Sequence, residues 1–118
     1  MKLVLKKNRH VTWPVSMSQA ANGGGLESVE LDVTFTIIDN SEYEDILNDA
    51  QLTNMLADPE ILKRVVKHID GLAIEDEDGV EQPFAPALLP TVLENAAIRS
   101  SLIKAYMDCA AGFAAKNA

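Results

Sequence analysis

The chain has a single cysteine, Cys109, one tryptophan, two histidines and few aromatic residues of any kind. One thiol closes no disulfide within the chain, and it suits a reducing compartment. Positive charge is scarce as well. Ten Lys and Arg stand against eighteen Asp and Glu, giving a formal net charge of -8. Nucleic acids and anionic membrane surfaces are held by Lys and Arg that neutralise phosphate, so neither is expected as a partner. No apolar run approaches the ~18 residues of a membrane span. Met1 to Lys7 becomes charged too soon to form the apolar core of a signal peptide. A soluble, cytoplasmic protein is the expectation.

What is present is globular. Apolar residues make up 47% of 118 positions, a single-domain length. A chain of this size buries roughly two thirds of its unfolded surface, enough for one core. Residues 1–118 therefore read as one domain, with a β-rich part over 1–40 and a helical part over 41–118. Charge divides unevenly along it: residues 41–86 carry twelve Asp and Glu against three Lys and Arg.

Leu3-Val4-Leu5 reads as a first short strand, turned at Asn8-Arg9-His10 and returning through Val11 to Val15. Pro14 lacks an amide donor, which places that second strand at an edge or breaks it there. Ala21-Asn22-Gly23-Gly24-Gly25 reads as a hairpin loop. Beyond it, Val29, Leu31, Val33, Phe35 and Ile37 alternate with Glu30, Asp32, Thr34 and Thr36. That period of two predicts a strand in an antiparallel sheet covered on one face.

Helical signals follow. Ser41-Glu42-Tyr43-Glu44 has capping-box form, predicting a helix to about Ala50 with Tyr43, Ile46 and Leu47 inward. Asp58-Pro59-Glu60 reads as another start, with Asp58 as N-cap and Pro59 at the first helical position. Ile61, Leu62, Val65, Val66 and Ile69 lie on one helical face, and Gly71 suits the C-cap. His68 then falls near the helix C-terminus, where the dipole favours it. Leu72 to Ile74 and Val80 predict a small hairpin closed by Asp78-Gly79. Pro86 suits a helix start and Pro90 implies a short first turn or bend. Asn95 is placed to cap a last helix carrying Ile98, Leu102, Tyr106, Cys109 and Phe113, with fraying at Gly112. The whole is an α+β fold: an N-terminal antiparallel β-sheet of two to four strands, followed by three or four packed helices.

The residues that carry chemistry elsewhere are poorly arranged for it here. Glu75-Asp76-Glu77-Asp78-Gly79 invites a calcium reading, but the acids are consecutive, and the twelfth position from Asp76 is Ala87 rather than Glu. A solvated turn fits better. His10 and His68 sit in different elements with no H-x-x-H or E-x-x-H spacing. Cys109 lies on an apolar stripe with Asp108 beside it, the reverse of the electropositive setting of a reactive thiol. The glycines at 23–25 lead into a strand and lack the Gly-Lys-Ser/Thr of a phosphate loop. Trp13 reads as packing, with a ligand platform as its alternative. No catalytic, cofactor-binding or metal site is expected.

Val66 to Gly71 leads into the acidic Asp78-Gly79 turn, and Pro83-Phe84 follows a few residues later. An aliphatic helix with Leu88-Leu89 and Val92-Leu93 comes next, then a last helix with Ala105-Tyr106 and a short tail at Lys116-Asn117. In these features, and in the opening Lys2-Leu3-Val4-Leu5-Lys6 and the Val29–Ile37 strand, the chain resembles the tail assembly chaperones of long-tailed bacteriophages and prophages. The resemblance implies a non-enzymatic protein without cofactors. Such a chaperone binds the long helical tape-measure protein in the bacterial host cytoplasm while tail-tube protein assembles around it. It is not expected in the mature virion. The alternative is a structural tail or head–tail component retained in the particle, and a calcium-dependent module is a third reading.

On this reading the candidate partner-binding residues are Leu88, Leu89, Ile98, Leu102 and Tyr106, as a groove on the last helix pair. The reading set against it, and the more ordinary one, is that the same residues are simply core. The Val29–Ile37 strand is a candidate edge for self-association, which suits the family's tendency to form homo-oligomers.

Overall fold

The structure, a computed structural model, describes the backbone of residues 9–117 and the side chains of residues 9–112. The strand expected at Leu3-Val4-Leu5, Asn8 of the turn after it and the side chain of Phe113 lie outside the described residues. Two long strands, β1 (Arg9–Ala20) and β2 (Leu26–Ile37), pair antiparallel from Arg9↔Ile37 to Ala20↔Leu26. Gly23 and Gly24 take φ values of +92° and +89°, which L side chains rarely adopt, and so close the connecting loop. Arg9 and His10 belong to β1 rather than to a turn before it. The strand runs through Pro14 unbroken, because β1 is the outer strand of a sheet ordered β1-β2-β3.

The third strand corrects the expected helix over residues 58–69. Helix α2 (Ala57–Val65) stops at Val65, and Val66–Asp70 forms β3 against β2. Val66 pairs with Phe35 and His68 with Thr34, which leaves Lys67 as an extra residue at a bulge. Val66 and Ile69 therefore both face the core although three residues apart. Spacing of three is a helical signal, and here a bulged strand produces it. Val66 and Ile69 are also β-branched, stiff in a helix and well suited to a pleated surface. The sheet thus draws one strand from beyond residue 40, and β2, expected as an edge, is its centre.

Helix α1 (Asn40–Leu52) is capped by Asp39, two residues earlier than the Ser41 capping box places it. The Asp39 carboxylate accepts from the Glu42 amide at 2.9 Å and also receives the Ser41 hydroxyl. Tyr43, Ile46 and Leu47 are half-buried against the core, as their spacing predicts. In α2 the N-cap is Leu56 without a side-chain cap bond, so Asp58 and Pro59 lie within the first turn. Asp58 and Glu60 still face the positive end of the helix dipole.

A small hairpin follows, β4 (Ile74–Glu75) with β5 (Glu81–Gln82). Its loop is longer than a two-residue turn. The Asp76 amide donates to the Val80 carbonyl, and the Asp76 carboxylate accepts from the amides of Asp78 and Val80. Val80 is exposed in the loop rather than paired. Pro86–Leu88 forms a 3-10 turn leading into α3 (Leu89–Val92), with Pro90 in its first turn. The side chain of Asn95 then caps α4 (Ala96–Asn117) by accepting from the Ile98 amide at 3.1 Å. The backbone passes Gly112 in helical form, so the helix does not end where fraying was expected.

The helices lie against one face of the sheet, with α4 along β1, α2 between α4 and β2, and α1 on α2. Val33, Phe35, Ile61, Leu62, Val65 and Leu102 are fully or almost fully buried at the centre. Each such side chain contributes roughly 1.5–3 kcal/mol relative to exposure. The opposite face is polar. There Thr12 and Thr34 join hydroxyls across the strands at 3.0 Å, and the Ser16 hydroxyl donates to Glu30 at 2.7 Å. The architecture is α+β, an antiparallel sheet of three described strands with four helices.

Candidate interaction surface

The five residues expected to line a groove on the last helices are divided by their burial. Leu89, Leu102 and Tyr106 lie in the core, and Leu88 and Ile98 are half-buried beside it. Leu102 is wholly inaccessible, and the Tyr106 ring meets Phe35 edge-on with centroids 5.6 Å apart. Side chains engaged in this way are not available to a partner while the fold is intact. Of the two readings of these residues, the burial supports the core.

The chemically suggestive residues are likewise engaged in packing and turns. Burial pushes the Cys109 thiol above its ordinary value, the reverse of the shift that activates a nucleophilic thiol. Thr36 is buried, and its hydroxyl shares a 2.9 Å hydrogen bond with His10 Nδ1 across the strand pair. His68 sits on β3, not at a helix end, with its ring edge-on to Phe84 at 5.7 Å. Among the described residues no three His, Cys, Asp or Glu side chains cluster to hold a metal ion. Trp13 is half-buried, and a Cβ added at Gly112 would lie 3.4 Å from its ring, so the helix comes close over it. Beside it runs an open, largely polar trough of about 450 Å³ between β1 and α4, bordered by Ser16, Ser101, Lys104 and Asp108.

A different surface stands out at the corner between α1 and α2. Leu52 and Leu56 are 84% and 70% exposed, and Met55 between them is exposed too. The corner is ordered by a Schellman closure. The Met55 amide donates to the Ala50 carbonyl at 2.8 Å and the Asn54 amide to Gln51, with Asn54 at φ +57°. Asparagine is one of the few non-glycine residues that takes this conformation readily. Next to the corner is a groove of about 250 Å³. Ile46, Ala50 and Met55 supply its apolar lining, and Asp49 and Glu60 stand on its rim. Glu42 also borders it and holds Arg64 of α2 through both carboxylate oxygens, one of the two contacts at 3.2 Å. This ion pair spans from α1 to α2 beside the groove.

Sequence reasoning missed this corner because Leu52, Met55 and Leu56 fall between the apolar stripes of two helices. The available signal was three large apolar residues within the short stretch Gln51 to Leu56, where a polar connection is the norm. No protein-family model, curated protein or solved structure is found to match the chain.

Proposed function

We propose that the protein is a tail assembly chaperone of a long-tailed bacteriophage or prophage. In this reading it is non-enzymatic and binds the tape-measure protein in the host cytoplasm while the tail-tube protein assembles. The sequence resemblance motivates the reading. The observation that carries it furthest is the exposed Leu52-Met55-Leu56 corner on an otherwise acidic protein. Clustered exposed apolar side chains mark interaction surfaces. A strong net charge keeps a complex with an aggregation-prone helical client in solution.

The test is capture of the tagged protein from its own host after prophage induction, with mass spectrometry of both the eluate and purified particles. A very long, helix-rich phage protein in the eluate, with the chaperone missing from particles, is the expected result. Presence of the protein in finished particles would favour a structural tail or head–tail component. Absence of any phage protein from the eluate would overturn the reading.

A further inference from the structure

We propose that the α1–α2 corner is a docking surface for an amphipathic helical segment whose apolar face is flanked by Lys or Arg. Naming that segment as part of the chaperone's client rests on the preceding reading. The surface itself rests on three observations. Leu52, Met55 and Leu56 are exposed on a corner whose backbone is closed by hydrogen bonds, so they are presented rather than frayed. The adjoining groove has an apolar lining of Ile46, Ala50 and Met55, and its volume of about 250 Å³ admits one or two aliphatic side chains. Finally, residues 41–64, which carry the corner and its groove, contain six Asp and Glu against two cations, Lys63 and Arg64.

The charge decides the occupant. In a two-fold dimer the patch meets the same patch of the copy, so the surplus of carboxylates around it, Asp49 among them, would be brought near a like surplus. Like charges brought together across an apolar contact oppose association, so a second copy of this chain is a poor occupant. A segment of opposite charge gains from the same carboxylates. The two cations beside the groove are already engaged, Arg64 by Glu42 and Lys63 by Glu60 at 3.4 Å, which leaves Asp49 as the groove carboxylate with no cation beside it among the described residues. An amphipathic helix with apolar residues at i, i+3, i+4 and i+7 can lay two of them over Leu52 and Leu56 and a third into the groove. Its flanking Lys or Arg side chains then reach Asp49.

The probe is a synthetic Leu/Lys peptide of about 18 residues with Leu at helical spacing, titrated into the full chain and followed by two-dimensional amide NMR. The control is a scrambled peptide of the same composition, which keeps the charge and loses the apolar face. We expect amide shifts at Ile46, Ala50 and Met55 with the patterned peptide. Leu52→Ser with Leu56→Ser should weaken binding at least tenfold while leaving net charge and melting temperature unchanged. Asp49→Asn should weaken it several-fold and reduce its salt dependence. Equal binding of the scrambled peptide, shifts confined to other faces, or undiminished affinity in the Leu52/Leu56 variant would each overturn the proposal. So would a concentration-dependent dimer that the same variant dissolves. The two readings fail separately. A tape-measure-like protein still captured by the Leu52/Leu56 variant sinks this surface and leaves the chaperone reading intact. Peptide binding at the corner, with no phage protein captured by the unaltered chain, does the reverse.

Discussion

The backbone amide of Ile38, just past the end of β2, donates a 3.3 Å hydrogen bond to the hydroxyl oxygen of Tyr106 on the last helix. The bond joins residues 68 positions apart and lies in the core. Tyr106→Phe keeps the ring against Phe35 and leaves the buried amide unpaired. The expected loss is about 1–3 kcal/mol, read from urea denaturation at neutral pH.

The same tyrosine gives the fold a sensitivity to alkali. Burial, the largest cause, raises the Tyr106 hydroxyl above its ordinary value, with the Ile38 amide pulling the other way. Burial also raises the Cys109 thiol. Below the ordinary values both groups are protonated folded or unfolded, and pH has no effect through them. Above about 8.5 for the thiol and about 10 for the phenol, the unfolded chain releases protons that the folded chain retains. Stability therefore falls as pH rises through that range. Denaturation midpoints measured from pH 8 upward should decline, and Cys109→Ala together with Tyr106→Phe should flatten the decline.

Leu102→Ala removes a wholly buried side chain from the first half of α4 and should cost about 2–5 kcal/mol. The loss separates the two readings of the last helices. A groove residue would lose partner binding with the melting temperature intact, whereas a core residue lowers the melting temperature first. Thermal unfolding of the variant is expected to give the second result.

Gly71 follows β3 at φ +93°, and a Cβ there would lie 3.0 Å from the Glu30 carbonyl oxygen. Gly71→Ala meets both the backbone penalty and that contact. The expected cost is about 1–3 kcal/mol in chemical denaturation, with the β2–β3 amides losing hydrogen-exchange protection before the β1–β2 amides.

Asp32 and Asp70 stand directly opposite each other on β2 and β3, both on the solvent face. Like charges at paired positions destabilise a sheet. Asp70→Thr should add about 0.2–1 kcal/mol, a gain that shrinks in high salt because the repulsion it removes is screened.

Much of the fold was legible in local pattern. The period of two through Val29–Ile37, the glycines at 23–25, Pro86 and the Asn95 cap depend on neighbours in sequence, and each appears where that chemistry puts it. The α+β class follows from those elements. Three features needed the whole chain. Val66–Asp70 became a strand because β2 offered an open edge, and its bulge at Lys67 gave the core-facing residues a helix-like spacing that sequence alone could not distinguish. Asp39 and Ser41 both carry side chains that can accept the capping bond, and it is at Asp39 that the backbone is extended and the bond is made. The fate of the apolar residues was the third. Leu102 and Leu52 are the same residue type on helices, yet one is sealed beneath the sheet and the other stands in solvent. Periodicity assigns a side chain to a face of its own helix. Which faces meet, and which apolar residues are left at a corner for another molecule, is decided only when the helices pack.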